Sequence, residues 1–494
     1  MEKKTIFIMA GVLLGILCLC ITAVLVLGFG RTLVSGDGAL ANLFASATPM
    51  ETATLAPTQA PADATDTPAS PALDPSATAP APEATAAVLP ADIAAQMDRI
   101  QSQVSRLRGM HPLDEVNRAL MTPEQLRARL EADFAEDNDP DEVRDDLRVL
   151  AAFGLIDPEF DLYNYYLDLM TEQISGFYDS ETKEMFVIQG ETFSGPERST
   201  YAHEYTHVLQ DQQYDLQEGL QLKEEYCKVD SERCAAVQAL IEGEASLVEQ
   251  AWLYSYGTDQ DRAEIEEFYN NYDSPLLDAA PAFLVEDLTF PYREGIEFVF
   301  ELFQAGGWDA IDEAYTNLPV TTEQILHPEK YPSETPIAVD LPDLTTLIQG
   351  RLTELDRGVL GEWYAYLMLA FGRDEGMRLD EDTAREASSG WGGDAYVVYW
   401  DENAHLPVAA LQMVWDSMED AEEFADAFAD YGRLRWGETD ATSGTNQLTW
   451  EDTADGTSRF LRSGVVTLWV LAPNSADTET LEWLLLGEPA GLDG

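Results

Sequence analysis

Five histidines occur in the chain: His111, His203, His207, His327 and His405. Two of them fall in Tyr201-Ala-His203-Glu204-Tyr205-Thr206-His207. Residues four apart share one face of a helix, so both imidazoles can bind one zinc ion. Glu204 is one step round the helix and can reach a water on that metal. Histidine is scarce here, so an H-E-x-x-H pattern is a specific signal. No Gly or Pro interrupts Thr200 to Gln212, which suits a helix. The plainer alternative is two surface histidines beside a glutamate.

A catalytic zinc usually takes three protein ligands and a water. The long metzincin pattern would place Gly and His three and six residues after His207. Gln210 and Gln213 stand there, which excludes it. A glutamate from a later helix is the remaining option, and Ala239 to Glu249 offers several. Within that stretch, Glu242-Gly243-Glu244-Ala245 resembles the E-G-x-A segment that carries the third zinc ligand in aminopeptidase-type gluzincins. The resemblance implies Glu242 as the third ligand and Gly243 as the point where the two helices approach closely. Glu244 is the rival. Glu249, two turns on, is either a supporting or a solvent residue. The resemblance spans Pro196 to Gln250 only. It departs from the known branches: the G-x-M-E-N exopeptidase motif is absent, and Ser246 stands where a thermolysin-type chain has Asp. The folded part also resembles a group of bacterial membrane-anchored proteins sharing H-E-Y-x-H and E-G-E-A; that likeness implies no activity.

What the resemblance implies is a zinc metallopeptidase that cleaves a peptide or protein substrate. Glu204 would be the general base on a zinc-activated water. A donor to the oxyanion is also needed. Resembling gluzincins use a downstream His or Tyr, and His327, just before Pro328, is the candidate. Tyr292 and Tyr178 are weaker alternatives; His111 and His405 read as structural. Gly176 to Ile188 stands where such folds keep an edge strand, which could bind an extended peptide by strand addition.

The elements around these residues divide the chain. Residues 1–4 form a tip, and Lys3 and Lys4 favour a cytoplasmic N-terminus. Thr5 to Gly30 carry no charge and are nearly all apolar, enough to cross a bilayer that needs about 20 residues. The run exceeds a cleavable signal's core, which favours an uncleaved anchor. Residues 31–90 read as a disordered Ala/Pro/Thr-rich stalk without the apolar side chains to offset ordering entropy. The expected location is the cell membrane, with the body on the extracytoplasmic side. There, Cys227 and Cys234 read as a small disulfide loop.

The expected fold class is α+β. Residues 91–340 read as a mainly helical zincin-like catalytic domain with a small sheet. Residues 341–494 read as a smaller α+β module. Ala91 to Leu150 reads as helices throughout, with Ile93, Met97, Ile100, Val104 and Leu107 on one face. Ser194-Gly195-Pro196-Glu197 opens the motif helix. Gly390 to Asp394 reads as a tight turn around a core Trp.

Asp+Glu 91 against Lys+Arg 28 gives a net charge of -63. That excludes a general nucleic-acid binder, which needs clustered cations. The competing functional reading is a non-enzymatic acidic envelope protein that binds a partner and keeps a structural or relict zinc site. The intact Glu204 discriminates, because a purely structural zinc does not need it.

Overall fold

The computed structural model describes residues 89–137, 140–173, 176–188, 193–344, 351–438 and 446–486. The anchor at 5–30 and nearly all of the stalk lie outside the described residues. Among those described, no helix is long and apolar enough to cross a membrane. The described chain is α+β, with sixteen α-helices, a three-stranded sheet and a six-stranded sheet.

The helix Ala91–Arg108 buries the expected face. Met97, Ile100 and Val104 pack against Tyr201, Tyr205 and Val208 of the motif helix Gly195–Tyr214. Gly109 ends the first helix at φ 77, a left-handed cap that glycine adopts without a Cβ clash. The all-helical reading of 91–150 missed a strand. Asn117–Met121 runs parallel to Glu184–Ile188, which pairs antiparallel with Gly176–Asp179. Gly176–Asp179 is a strand and one edge of its sheet. Glu184–Ile188 is the centre of that sheet, not its edge.

The motif helix starts where the sequence places it. Ser194 N donates to Glu197 Oε2 at 2.8 Å, and Pro196 sits in the first turn. The helix Ser231–Ser255 is buried over most of its length and is capped by Asp230, which accepts from Arg233 N at 3.1 Å. Cys227 and Cys234 form a disulfide that ties its first turn to the segment just before it, with Cα atoms 5.5 Å apart.

The larger sheet is antiparallel throughout. Its order is Leu352–Gly358, Trp391–Asp401, Leu406–Trp415, Val466–Ala472, Gly456–Ser463, Gln447–Thr453. Alternate residues of the central strands face opposite ways. Ala395, Val397 and Tyr399 pack with Leu341, Leu344 and Leu481 on one face, while Tyr396 and Val398 join the main core on the other. Gly390 makes the expected turn at φ 77, and Trp391 behind it is fully buried, already in the strand.

The boundary drawn at residue 340 does not separate two cores. Phe153 lies 5.4 Å from the Tyr396 ring and 5.8 Å from the Trp469 ring. Arg435 Nη2 donates to Ala152 O at 2.9 Å. Lys330 joins Glu323 at 2.6 Å and Asp416 at 2.7 Å across the same boundary.

Several carboxyls are buried or half-buried in this core with donors aimed at them. Glu232 accepts from Thr322 N at 2.6 Å and Oγ1 at 2.7 Å. Asp394 accepts from Leu360 N, Gly361 N and the Trp391 indole. Asp287 accepts from the Trp363 indole and the Tyr364 hydroxyl. Burial nonetheless outweighs these donors. It pushes Glu232 up to about 8, and Asp287 and Asp394 each to about 6. A carboxyl raised on folding binds more protons folded than unfolded, so stability falls as pH rises between the two values. The window runs from about 4 to 8 on these groups. Thermal unfolding should therefore show a midpoint higher by several degrees at pH 5.5 than at pH 8. A midpoint that rises with pH across that range would contradict these assignments.

Candidate metal centre

The motif helix places His203, Glu204 and His207 together, with one ligand atom from each within 4.8 Å of the others. All three are buried. Glu242 reaches them from the helix Ser231–Ser255. Its Oε2 lies 3.2 Å from His203 Nε2 and 3.4 Å from His207 Nε2. Donors of a tetrahedral zinc lie about 2.0–2.2 Å from the ion, so neighbouring donors stand roughly 3.3 Å apart. The two distances match edges of such a tetrahedron and exceed the roughly 2.8 Å of a charge-assisted hydrogen bond. The donor set, two imidazoles and one carboxylate, suits zinc. His203, His207 and Glu242 therefore fit a zinc ion, with Glu204 beside it.

The charges follow from the packing. Burial works against the Glu242 carboxylate, yet His207 and His203 outweigh it and hold it down at about 2. Burial likewise opposes charge on His203, but Glu242 and Glu249 raise it to about 9. Burial holds Glu204 well above the usual carboxylate range, although His207 and the Tyr178 N–H pull the other way. Tyr178 N donates to Glu204 Oε2 at 2.9 Å. Glu204 Oε1 is buried and has no hydrogen-bond partner. A cavity of about 10 Å³, room for one water, is lined by Glu204 together with Gly176, Met185, Phe186 and Thr200.

Glu244, the rival ligand, turns elsewhere. Its carboxylate pairs with Arg108 and accepts from the Tyr315 hydroxyl and from Gln210 Nε2. Glu249 is buried rather than solvent-facing. Its Oε2 lies 3.4 Å from His203 Nδ1, and its Oε1 accepts from Ser199 Oγ at 2.7 Å.

His327 is not brought to this cluster. It ends the short helix Thr322–Leu326, and its Nε2 lies 2.8 Å from Glu362 Oε1 on the helix Gly361–Ala370. The Tyr178 hydroxyl donates to Asp211 at 2.6 Å. Tyr292, the remaining alternative, is buried with its ring 6.3 Å from that of His203. Sequence reasoning missed Gln210, Ser199, Arg108 and Tyr315. Gln210 had a local signal, three residues after His207 and hence on its face of the helix. Ser199 had one too, four residues before His203 on the same helix; Arg108 and Tyr315 come from distant segments and carried none.

The close approach read at Gly243 exists, but its partner differs. A Cβ at Gly243 would lie 2.1 Å from Gly295 O, on the helix Ala282–Gly306, not on the motif helix. A Cβ at Gly295 would lie 2.2 Å from Ala239 O.

Residues 350–482 match a family described as a domain of unknown function (DUF8575). No curated protein and no solved structure matches the chain. The family match covers the larger sheet and leaves the motif helix outside.

Gly243→Ala should destabilise the fold by about 2–3 kcal/mol, since backbone on both sides has to part to admit a methyl group. Denaturant unfolding measures this. A midpoint within error of the parent would mean that the two helices separate at no cost.

Proposed function

We propose that the chain is a membrane-anchored, extracytoplasmic zinc metallopeptidase that hydrolyses peptide bonds. The observation that carries this reading is the Glu242 oxygen standing a tetrahedron edge from two imidazole nitrogens, with the Glu204 carboxyl beside them. His203, His207 and Glu242 would hold the metal. A zinc ion held there would supply a water whose pKa is lowered towards about 7 and a Lewis acid for a carbonyl oxygen.

The chain's own residues do the rest. Glu204 takes the proton of the attacking water at Oε1, its unpartnered oxygen, and gives it to the leaving amine. The Tyr178 N–H holds the other oxygen and fixes the carboxyl's direction. Because this N–H points away from Glu184–Ile188, the open edge of Gly176–Asp179 and the Glu204 carboxyl lie side by side. An extended peptide added along that edge would pass the base. Tyr292 replaces His327 as the candidate oxyanion donor, since it stands next to His203. The segments 5–30 and 31–90 would tether this body outside the membrane.

Burial of His203, Glu204, His207 and Glu242 favours one competing reading, a structural zinc in a non-enzymatic envelope protein. Glu204→Gln separates the two. On the enzymatic reading, hydrolysis of a peptide library by the purified full-length protein falls at least about 100-fold, the usual worth of a general base. Zinc content stays near one per chain. Chelator abolishes the parent's activity and added zinc restores it. Hydrolysis unchanged in the variant, or no hydrolysis by zinc-loaded parent, would count for the structural reading.

A further inference from the structure

We infer that Gln210 is a positioning residue of the metal centre, with Glu244 and Arg108 acting through it to hold His207 in the tautomer that binds metal. The inference rests on the zinc reading above. It begins from which atoms can only accept hydrogen bonds. Gln210 Nε2 lies 3.0 Å from Ile241 O and 2.8 Å from Glu244 Oε2. A carbonyl and a carboxylate have no proton to offer, so this end of the amide has to be the NH2 group. Turning the amide over would set its oxygen against two other oxygens.

The orientation then passes along the side chain. Gln210 Oε1 faces His207 Nδ1 at 2.7 Å and can only accept. Nδ1 therefore carries the proton. In the neutral ring the free lone pair is left on Nε2, the atom that stands 3.4 Å from Glu242 Oε2. The opposite tautomer would put a proton where the metal has to bind. An outer partner of this kind fixes both the tautomer and the ring's direction.

Glu244 keeps its place because Arg108 does. The buried Arg108 guanidinium pairs with Glu244 and Asp312 and lies over the Trp308 ring at 4.7 Å. The Tyr315 hydroxyl also donates to Glu244. The chain of contacts runs from the helix Trp308–Thr316 and the end of Ala91–Arg108, through Glu244 and Gln210, to His207. None of these supporting side chains touches substrate in this scheme.

The test measures zinc affinity of the full-length protein by chelator competition, alongside the visible spectrum of its Co(II) form. Gln210→Leu removes the acceptor from Nδ1. Glu244→Gln keeps the shape but removes the acceptor-only partner, so the amide is no longer forced one way. Zinc should bind about 10–100-fold more weakly in Gln210→Leu and at least several-fold more weakly in Glu244→Gln, with altered Co(II) bands in both. Leu209→Ala, a core truncation on the same helix, should lower the zinc-free unfolding midpoint yet leave zinc affinity within about threefold. Should Gln210→Leu fail to fold, the isosteric Glu244→Gln still decides the matter. Variants that bind zinc as tightly as the parent would overturn the inference while leaving the zinc reading intact. A parent that takes up neither zinc nor Co(II) would overturn the zinc reading itself.

Discussion

The helices Ser231–Ser255 and Ala282–Gly306 meet backbone to backbone at Gly243 and Gly295, and the candidate site depends on that contact. Glycine inside a helix costs about 1 kcal/mol relative to alanine, so two facing glycines need a packing reason. Here the reason is depth. With no Cβ between them, the first helix sinks far enough to be buried along most of its length. Its other side then reaches the motif helix, and Glu242, Glu244 and Glu249 arrive among side chains of that helix. A wider spacing would displace all three carboxylates together, because they ride on one rigid element.

An acidic chain has to solve a charge problem to build such a core. Carboxylates outnumber cations by 91 to 28, and many of them are inside. Charge pairing alone cannot serve them all. The structure uses hydrogen-bond donors instead: hydroxyls and indoles around Asp287 and Asp394, and a threonine's N–H and hydroxyl at Glu232. The few buried guanidiniums go where a carboxylate meets several partners. Arg108 serves Glu244 and Asp312, and Arg435 joins the two halves of the chain through Ala152 O and Asp455. Buried ion pairs of this kind are weak evidence for stability, yet removing one partner leaves a buried charge uncompensated.

Local features were legible in the sequence and distant pairings were not. The motif helix, its start at Ser194, the buried face of Ala91–Arg108 and the Cys227–Cys234 loop each depend on residues a few positions apart. Asn117–Met121 was missed because its partner strand lies 67 residues on and its five residues show no alternation. The surroundings of His327 were illegible for the same reason. Its position before a proline describes a turn, but only the packing of the helix Gly361–Ala370 decides that it meets Glu362. The boundary at 340 was drawn from a change in pattern. Composition does not reveal that Phe153 will pack on Tyr396 and Trp469.

The choice between Glu242 and Glu244 shows how a surplus of carboxylates is resolved. Two residues apart on a helix, they point roughly 200° away from each other around its axis. Only one can face the imidazoles; the other has to find partners on another side. Glu242 faces His203 and His207, while Glu244 faces Arg108, Tyr315 and Gln210. Glu249 lies seven residues beyond Glu242, nearly two full turns, and so returns to the imidazole side at His203 Nδ1. The E-G-E-A segment thus divides its two acidic side chains by geometry alone: one is set against the imidazole nitrogens, and the other against the amide that orients His207. A single-residue shift of this helix would exchange those surroundings. The Gly243–Gly295 contact, which permits only one depth and register, is what prevents it.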